Sequence, residues 1–354
     1  MIKCVVWDID NTLLTGVYLE SGADLPGADP GLTRALRELE GRGILSALAS
    51  RNPPAAAAYV QQLTGADFAA VECGWGSKAD AITRIAAELS LAPDAIAFVD
   101  DDMLERAEVA AALPDVLVLT PEEAAQAPAW PEFSPAVITD EGRRRSQLYA
   151  ERRQRQAAAA EFGGSRDDFL RHAGTQITIA TAGPADLPRL HELSVRTHQL
   201  NSAGQPVAEA DLAGLLASPA DAVITVRLAD DFGDDGLVGA AITTGNGGSN
   251  GPDAGVPAPS MVVTVPLVMM SCRALGRGAL DALLAWLCRS GAADGAAELR
   301  VPCLVTERNV PMRLALAAAG LRAEPESVAP DGRAIFTRPL TGELPALPDW
   351  VIVK

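Results

Sequence analysis

Residues 4–16, Cys-Val-Val-Trp-Asp-Ile-Asp-Asn-Thr-Leu-Leu-Thr-Gly, set a short apolar strand directly before Asp8, Asp10 and Thr12. In open α/β folds ligands bind beyond the C-terminal ends of the strands, and that is where these side chains would stand. Two carboxylates at i and i+2 share one rim of such a sheet. One can attack phosphorus while the other handles a proton, and together they can hold a hard divalent cation. The segment points to an α/β sheet built for phosphoryl chemistry.

Three further segments follow in order. Ile44 to Ala49 reads as a second strand ending at Ser50, whose hydroxyl can bind a phosphate oxygen, with Arg51 and Asn52 next in the turn. Lys78 opens a predicted helix carrying Ile82, Ile85 and Leu89, so its ammonium lies where it offsets phosphate and carboxylate charge. A third strand, Ala95 to Val99, delivers Asp100, Asp101 and Asp102. Adjacent acids on a loop commonly form only a polar turn. In this order behind D-x-D-x-T they resemble the motifs of the haloacid dehalogenase (HAD) superfamily. The resemblance implies Asp8 as nucleophile and Asp10 as general acid/base, with the Asp10 main-chain carbonyl on Mg²⁺. It puts Thr12, Ser50, Arg51, Asn52 and Lys78 around the phosphate, and Asp8, Asp10, Asp100 and Asp101 around the metal, with Asp101 the first side-chain ligand. Glu105 and Glu108 read as helix-surface charges.

At 354 residues the chain has room for two domains. The first is expected over 1–140, with helices such as 29–41, where Asp29 caps, Pro30 stands in the first turn, and Leu32, Leu36 and Leu39 share a face. Between Thr12 and Ser50, and between Asn52 and Lys78, there is space for little more than one helix and a connection. That leaves no cap domain, so the site is open to water and bulky substrates, and a second domain is the candidate cover. The formal net charge of −17 argues against nucleic acid as a partner. No apolar run reaches membrane-spanning length, and Met1 leads straight into a strand, which leaves no room for a signal peptide. Five cysteines without regular spacing or a C-x-x-C pair suit reduced thiols in a cytoplasm, not a disulfide framework or a structural zinc site.

Residues 141–172, rich in Arg, Gln and Ala, read as a helical linker. Arg143, Arg144, Arg145, Arg152, Arg153 and Arg155 form a basic band there, read first as a solvated face and alternatively as a landing strip for an acidic partner or a phosphate-bearing substrate. A second domain is expected over 173–354. It has strands at 177–180, 222–228 and 239–244, a helix at 185–200, and a long mobile loop at 246–259. An apolar strand, 261–270, empties into Ser271-Cys272-Arg273-Ala274-Leu275-Gly276-Arg277-Gly278 before a helix at 279–287. Strand, loop and helix with R-x-x-G-x-G resemble the pyrophosphate loop of the GNAT acyltransferase fold, in which glycines let backbone N–H groups face a phosphate. Arg273, Gly276 and Gly278 are the candidate binding residues of this loop. Arg308 and Asn309, in Thr306-x-Arg308-Asn309 before another predicted helix, and a strand at 334–337 extend the match.

A capless HAD-like domain followed by a GNAT-like domain resembles the FkbH family of polyketide biosynthesis. The resemblance rests on Trp-Asp-Ile-Asp-Asn-Thr-Leu (7–13), Ala-Ser-Arg-Asn (49–52), Trp-Gly-Ser-Lys (75–78), Phe-Val-Asp-Asp (98–101), Arg-Thr-His-Gln-Leu-Asn (196–201) and Met-Ser-Cys-Arg (270–273). It implies a bifunctional glyceryl transferase/phosphatase. Such an enzyme takes D-1,3-bisphosphoglycerate, captures the glyceryl unit as an enzyme thioester, removes the remaining phosphate with Mg²⁺, and passes the unit to the phosphopantetheine thiol of an acyl carrier protein. Cys272, at a strand end beside Arg273, is the expected nucleophile of the transfer step, against the plain alternative of a buried apolar residue. Cys4, Cys288 and Cys303 read as packing residues, and Cys73 stays open because it lies near the HAD site. His198 can activate a thiol, while Gln199 and Asn201 can hydrogen-bond glyceryl hydroxyls or pantetheine amides, or simply close a helix. Leu14 stands where the family usually carries an aromatic residue. Two other readings compete: a HAD phosphatase fused to an acetyl-coenzyme A-dependent acetyltransferase, and a HAD phosphatase with a non-catalytic carrier-docking module.

Overall fold

The computed structural model describes residues 1–20, 24–135, 138–197, 199–244, 262–307, 309–323 and 332–354. The fold class is α/β. The chain divides into two compact units, Met1–Arg155 and Gln156–Lys354, each with its own sheet.

In the first unit the strands are β1 (Cys4–Trp7), β2 (Leu45–Ser50), β3 (Phe68–Cys73), β4 (Ile96–Val99) and β5 (Leu117–Leu119). Among the described residues they form one sheet in the order β3-β2-β1-β4-β5, with every neighbouring pair parallel. Helices α1 (Pro30–Gly41), α2 (Pro54–Thr64), α3 (Lys78–Leu89), α4 (Met103–Ala112) and α5 (Pro121–Gln126) connect them. β1, β2 and β4 are buried along their whole length, as strands covered on both faces must be. Helix starts follow local chemistry: the Asp29 carboxylate accepts from Leu32 N–H at 2.8 Å, and Ser77 caps α3. Parallel pairing puts the C-terminal ends of β1, β2 and β4 side by side. Asp8, Ser50 and Asp100 therefore meet on one edge, with the start of α3 next to them.

The stretch expected as a linker is helical in α6 (Asp140–Arg143), α7 (Arg145–Glu161) and α8 (Arg166–His172). Its basic band needs a correction, because it is not solvated along its length. Leu148 and Tyr149 are buried in the first unit, and the Arg145 and Arg152 guanidinium groups lie 6.0 and 5.9 Å from the Tyr149 ring. Arg145 and Arg155 are themselves buried, while Arg143 and Arg144 are exposed. An apolar anchor one turn after Arg145 draws that face inward.

The second unit holds β6 (Gln176–Thr181), α9 (Leu187–Arg196), α10 (Glu209–Ala217), β7 (Asp221–Asp230), β8 (Gly233–Thr244), β9 (Val262–Met270), α11 (Ala279–Ala293), β10 (Glu298–Leu304), α12 (Val310–Ala318), β11 (Arg322–Ala323), β12 (Arg333–Pro339) and β13 (Val351–Val353). Its sheet runs β11-β12-β10-β9-β8-β7-β6-β13. β9 and β10 pair in parallel only from Val262–Thr264 against Glu298–Arg300, and the sheet opens beyond. Residues 200–202 fill that opening: Met270 N–H donates to Leu200 O (2.9 Å), Ser202 N–H to Val268 O (2.9 Å), and Leu304 N–H to Ser202 O (2.8 Å). This pairing explains why α9 stops at Arg196 and not at Leu200, as periodicity suggests: the chain leaves the helix to satisfy strand edges. The loop expected at 246–259 lies outside the described residues.

Candidate active site

A tight turn over Ile9–Leu13 sets the first motif. Leu14 N–H donates to Ile9 O, and Asn11 takes φ +48, a region that asparagine tolerates. The turn lifts Asp8 and Asp10 to different partners. Lys78 Nζ donates to Asp8 Oδ1 and to Asp100 Oδ2, both at 2.6 Å, with all three residues buried. Asp102 N–H donates to Asp100 Oδ1 at 2.9 Å, and Arg106 donates to the Asp100 carbonyl at 2.7 Å. Carboxylate atoms of Asp8, Asp100 and Asp101 all lie within 4.8 Å of one another. Such a set of close carboxylate oxygens, two buried and one exposed, suits a hard cation such as Mg²⁺.

Burial pushes the Asp8 carboxyl up to about 6, with Lys78 opposing and Asp100 adding to the rise. Burial alone would lower Lys78, and Asp8 and Asp100 outweigh it and raise it. Burial and then Asp100 also push Asp101 up. The acids crowd beyond what a single ammonium neutralises, which is the electrostatic condition a divalent cation relieves.

Asp10 is turned differently. Its carboxylate accepts from Tyr18 N–H (2.8 Å) and Asn52 Nδ2 (2.8 Å), and Asn52 also donates to Ser50 Oγ at 3.1 Å. The side-chain cluster thus comprises Asp8, Asp100 and Asp101, and a metal role for Asp10 would fall to its main-chain carbonyl. Thr12 is buried with Oγ1 lacking a hydrogen-bond partner among the described residues. Ser50, Arg51 and Lys78 line one pocket with Cys73, Gly74, Gly76 and Arg84. On the side of Asp101, a cavity of about 390 Å³ is lined by Thr12, Leu14, Arg106 and Thr120 among others.

Glu105 calls for a correction. It is 8 % exposed, and its Oε1 lies 2.8 Å from Arg51 Nη2, so it is not a surface charge. Only the order of strands β2, β1 and β4 could have revealed this, since 54 positions separate the two residues. Arg84 and Arg106 are further residues of these pockets that motif reading did not place there, while Cys73, read as near the site, lines the first of them.

In the second unit Cys272 is half-buried just after β9, whereas Cys288 and Cys303, like Cys4 of the first unit, are buried. Burial pushes the thiols of Cys4 and Cys303 up to about 12 and about 11. Gly276 and Gly278 take φ +75 and +76, which requires glycine. Three other expected ligand residues make contacts inside the unit. Asn201 is fully buried; its Oδ1 accepts from Ala203 and Gly204 N–H, and its Nδ2 faces the Thr197 and Gln205 carbonyls. Asn309 is buried, with Oδ1 accepting from Thr306 N–H and Nδ2 donating to Leu304 O. Arg273 is buried with Nε 3.7 Å from Asp235, and its neighbour Arg277 pairs with Asp235 and with Asp230 at 2.7 Å. Each of these polar groups is drawn to a partner inside the unit, because burial without one is costly. Gln199 is half-buried. His198 and Arg308 lie outside the described residues.

No protein-family model matches the chain, and the search of curated proteins finds no match. Similar solved structures include the phosphatase-containing N-terminal part of BF1531 from Bacteroides fragilis, complexed with Mg. That match is 27 % identical, covers 38 % of this chain and 39 % of that one, and has a TM-score of 0.32. The chain spans about two fifths of that relative's length. The 3-deoxy-D-manno-octulosonate 8-phosphate phosphatase of Moraxella catarrhalis is 21 % identical over 30 % of this chain and 62 % of that one, with a TM-score of 0.27. The GNAT domain of S. lividans PAT is 15 % identical over 46 % of this chain and 89 % of that one, with a TM-score of 0.34. No described helix is long and apolar enough to cross a membrane.

Proposed function

We propose that the chain is a glyceryl transferase/phosphatase of the FkbH-like type. It would take D-1,3-bisphosphoglycerate, hold the glyceryl unit as a thioester, remove the remaining phosphate and load the unit onto an acyl carrier protein. The observation that carries the reading is the Lys78-bridged cluster of Asp8 and Asp100 with Asp101 beside it.

In the phosphatase step an ionised Asp8 oxygen attacks phosphorus, the ester P–O bond breaks, and the leaving alkoxide takes its proton from Asp10. Water then cleaves the aspartyl phosphate and gives its proton to Asp10, which restores both acids and frees inorganic phosphate. Asn52 and Tyr18 N–H fix the Asp10 carboxylate for both transfers. Lys78 holds Asp8 in place and supplies positive charge where the phosphoryl oxygens arrive. Asp8, Asp100 and Asp101 would hold Mg²⁺, which when bound offsets charge on the phosphoryl group.

For the transfer step Cys272 is the supported thiol, since it stands at a strand end and is accessible where Cys288 and Cys303 of the same unit are buried. Its thiolate would attack the acyl carbon of the acyl phosphate and expel phosphate, and the carrier thiol would then displace Cys272. An acyl phosphate and a thioester are both activated, so neither step needs ATP. An acidic carrier would meet Arg143 and Arg144, the exposed part of the basic band.

Incubation with 1,3-bisphosphoglycerate, Mg²⁺ and a phosphopantetheinylated carrier, read by intact mass, tests the reading. A glyceryl adduct that disappears in Cys272→Ala is the expected result. Transfer of labelled acetyl groups from acetyl-coenzyme A, with no adduct in either protein, would favour the acetyltransferase reading instead.

A further inference from the structure

Three of the chain's seven phenylalanines gather at one place in the second unit. Phe162 follows the end of α7, Phe169 lies on α8, and Phe232 stands in the turn between β7 and β8. The Phe162 ring meets Phe169 edge to face at 5.5 Å between centroids and stacks on His172 at 5.3 Å, while Phe169 lies 6.4 Å from Phe232. With Glu161 and Asp231 these rings wall a cavity of about 270 Å³. Phe169 is buried, Phe162 and Phe232 are half-buried, and Glu161, His172 and Asp231 are exposed, so the aromatic walls open to solvent and do not close into a core. None of these residues enters the phosphatase or transfer step proposed above.

The electrostatics of this cavity favour a cation. Aromatic faces carry negative potential, and Glu161 and Asp231 add two carboxylates. The C-terminal ends of α7 and α8 both reach the cavity, and helix dipoles are negative there. Asp231 is fixed in place: its N–H donates to Ala173 O at 2.9 Å, and its Oδ1 lies 2.7 Å from where a Cβ on Gly174 would stand, so the carboxylate is seated against a residue without a side chain. Among the described residues that line the cavity there is no lysine or arginine. Arg171, next to His172, is turned to Asp349 at 3.2 Å and lies 5.1 Å from the Trp350 ring. A hard metal ion needs converging oxygens, which rings do not supply, whereas an ammonium clothed in alkyl groups gains from ring faces and carboxylates together.

We propose that this cavity binds the alkylated ammonium group of an organic cation, with Phe162, Phe169, His172 and Phe232 as its walls and Asp231 and Glu161 as counter-charges. A volume of about 270 Å³ falls just below the roughly 300–1,000 Å³ of sites for drug-sized ligands. The cavity therefore takes a headgroup and leaves the rest of the molecule outside.

The test is binding to the full chain in mildly alkaline buffer, followed by NMR titration. Three probes are compared: choline; ethanolamine, whose ammonium bears no methyl groups; and 3,3-dimethylbutan-1-ol, the uncharged carbon isostere of choline. Choline should bind about 3–30-fold tighter than either of the others, the range that ring faces provide to a desolvated cation. Phe232→Leu should bring choline within about twofold of its isostere, and Asp231→Asn, which keeps the shape of the side chain, should weaken choline by roughly 3–10-fold while leaving the isostere unchanged. Circular dichroism of both variants checks that the fold is kept. A peptide carrying trimethyllysine is titrated beside choline, and whichever binds more tightly says whether the cation is a free molecule or a protein side chain. Choline binding no tighter than ethanolamine or the isostere, no detectable binding of any probe, or a choline preference that survives in both variants overturns the site.

Discussion

Lys78 Nζ lies 2.6 Å from Asp8 Oδ1, although 70 positions separate them in the chain, and the same ammonium reaches Asp100 Oδ2 at 2.6 Å. Removing it leaves two buried carboxylates facing each other with the charge of neither offset. Lys78→Met should therefore destabilise the metal-free protein by about 3–5 kcal/mol, the usual cost of breaking a buried pair from one side. Phosphatase kcat should fall by at least about 100-fold. Denaturant melts with and without Mg²⁺ check the first part, and Mg²⁺ should recover some of the loss.

Asp8 has the opposite effect on stability. Its folded carboxyl is raised from 3.8 to about 6, so the folded chain binds the proton more tightly than the unfolded chain. The contribution to stability is present in full below pH 3.8 and is lost as pH rises through about 6. Metal-free Asp8→Asn should then be more stable than wild type at pH 8, by roughly 1–3 kcal/mol, with the difference vanishing toward pH 4. Thermal melts across that range in chelator are the measurement. Added Mg²⁺ should reverse the order by stabilising only the wild type.

Asn52 holds the Asp10 carboxylate through a 2.8 Å bond while standing beside Ser50. Its replacement by Ala should lower kcat on p-nitrophenyl phosphate about 10–100-fold, with KM changed by less than about threefold. A loss confined to KM would mean that Asn52 binds the ground-state phosphate and does not orient the acid.

Thiol reactivity should divide the cysteines. Native protein treated with iodoacetamide at neutral pH should label at Cys272 and Cys73, which are half-buried, and spare Cys4, Cys288 and Cys303. Cys73 should react more slowly than an unperturbed thiol, because burial, then Glu72, then Asp8 raise it. Peptide mass mapping over time reads both points.

Asn201 is committed to its own loop, so Asn201→Ala should act on folding. Two backbone N–H groups lose their acceptor inside the unit, at a cost of about 1–3 kcal/mol. A lowered denaturant midpoint is expected. An unchanged midpoint with weaker acyl-donor binding would return Asn201 to the ligand site.

Much of the first unit was legible because its signals are local. A buried strand, a carboxylate at its end, a cap and a helix follow one another within a few residues, and parallel pairing then collects Asp8, Ser50, Lys78 and Asp100 automatically. The extent of α9 was not legible, since apolar spacing continues to Leu200 while strand-edge pairing with β9 ends the helix at Arg196. Arg145 and Glu105 were misjudged for one shared reason: a charged residue reads as solvated until its surroundings, distant in sequence, are known.

Alone, the order of residues determined which groups stand at strand ends and helix starts, because backbone propensity and side-chain period act over a few positions. Tertiary structure decided which of those groups stay available to a ligand. Lys78 is shared by two acids, Arg51 is paired with Glu105, and Asn201 and Asn309 turn inward. A buried polar group must find a partner, and that partner can come from anywhere along the chain.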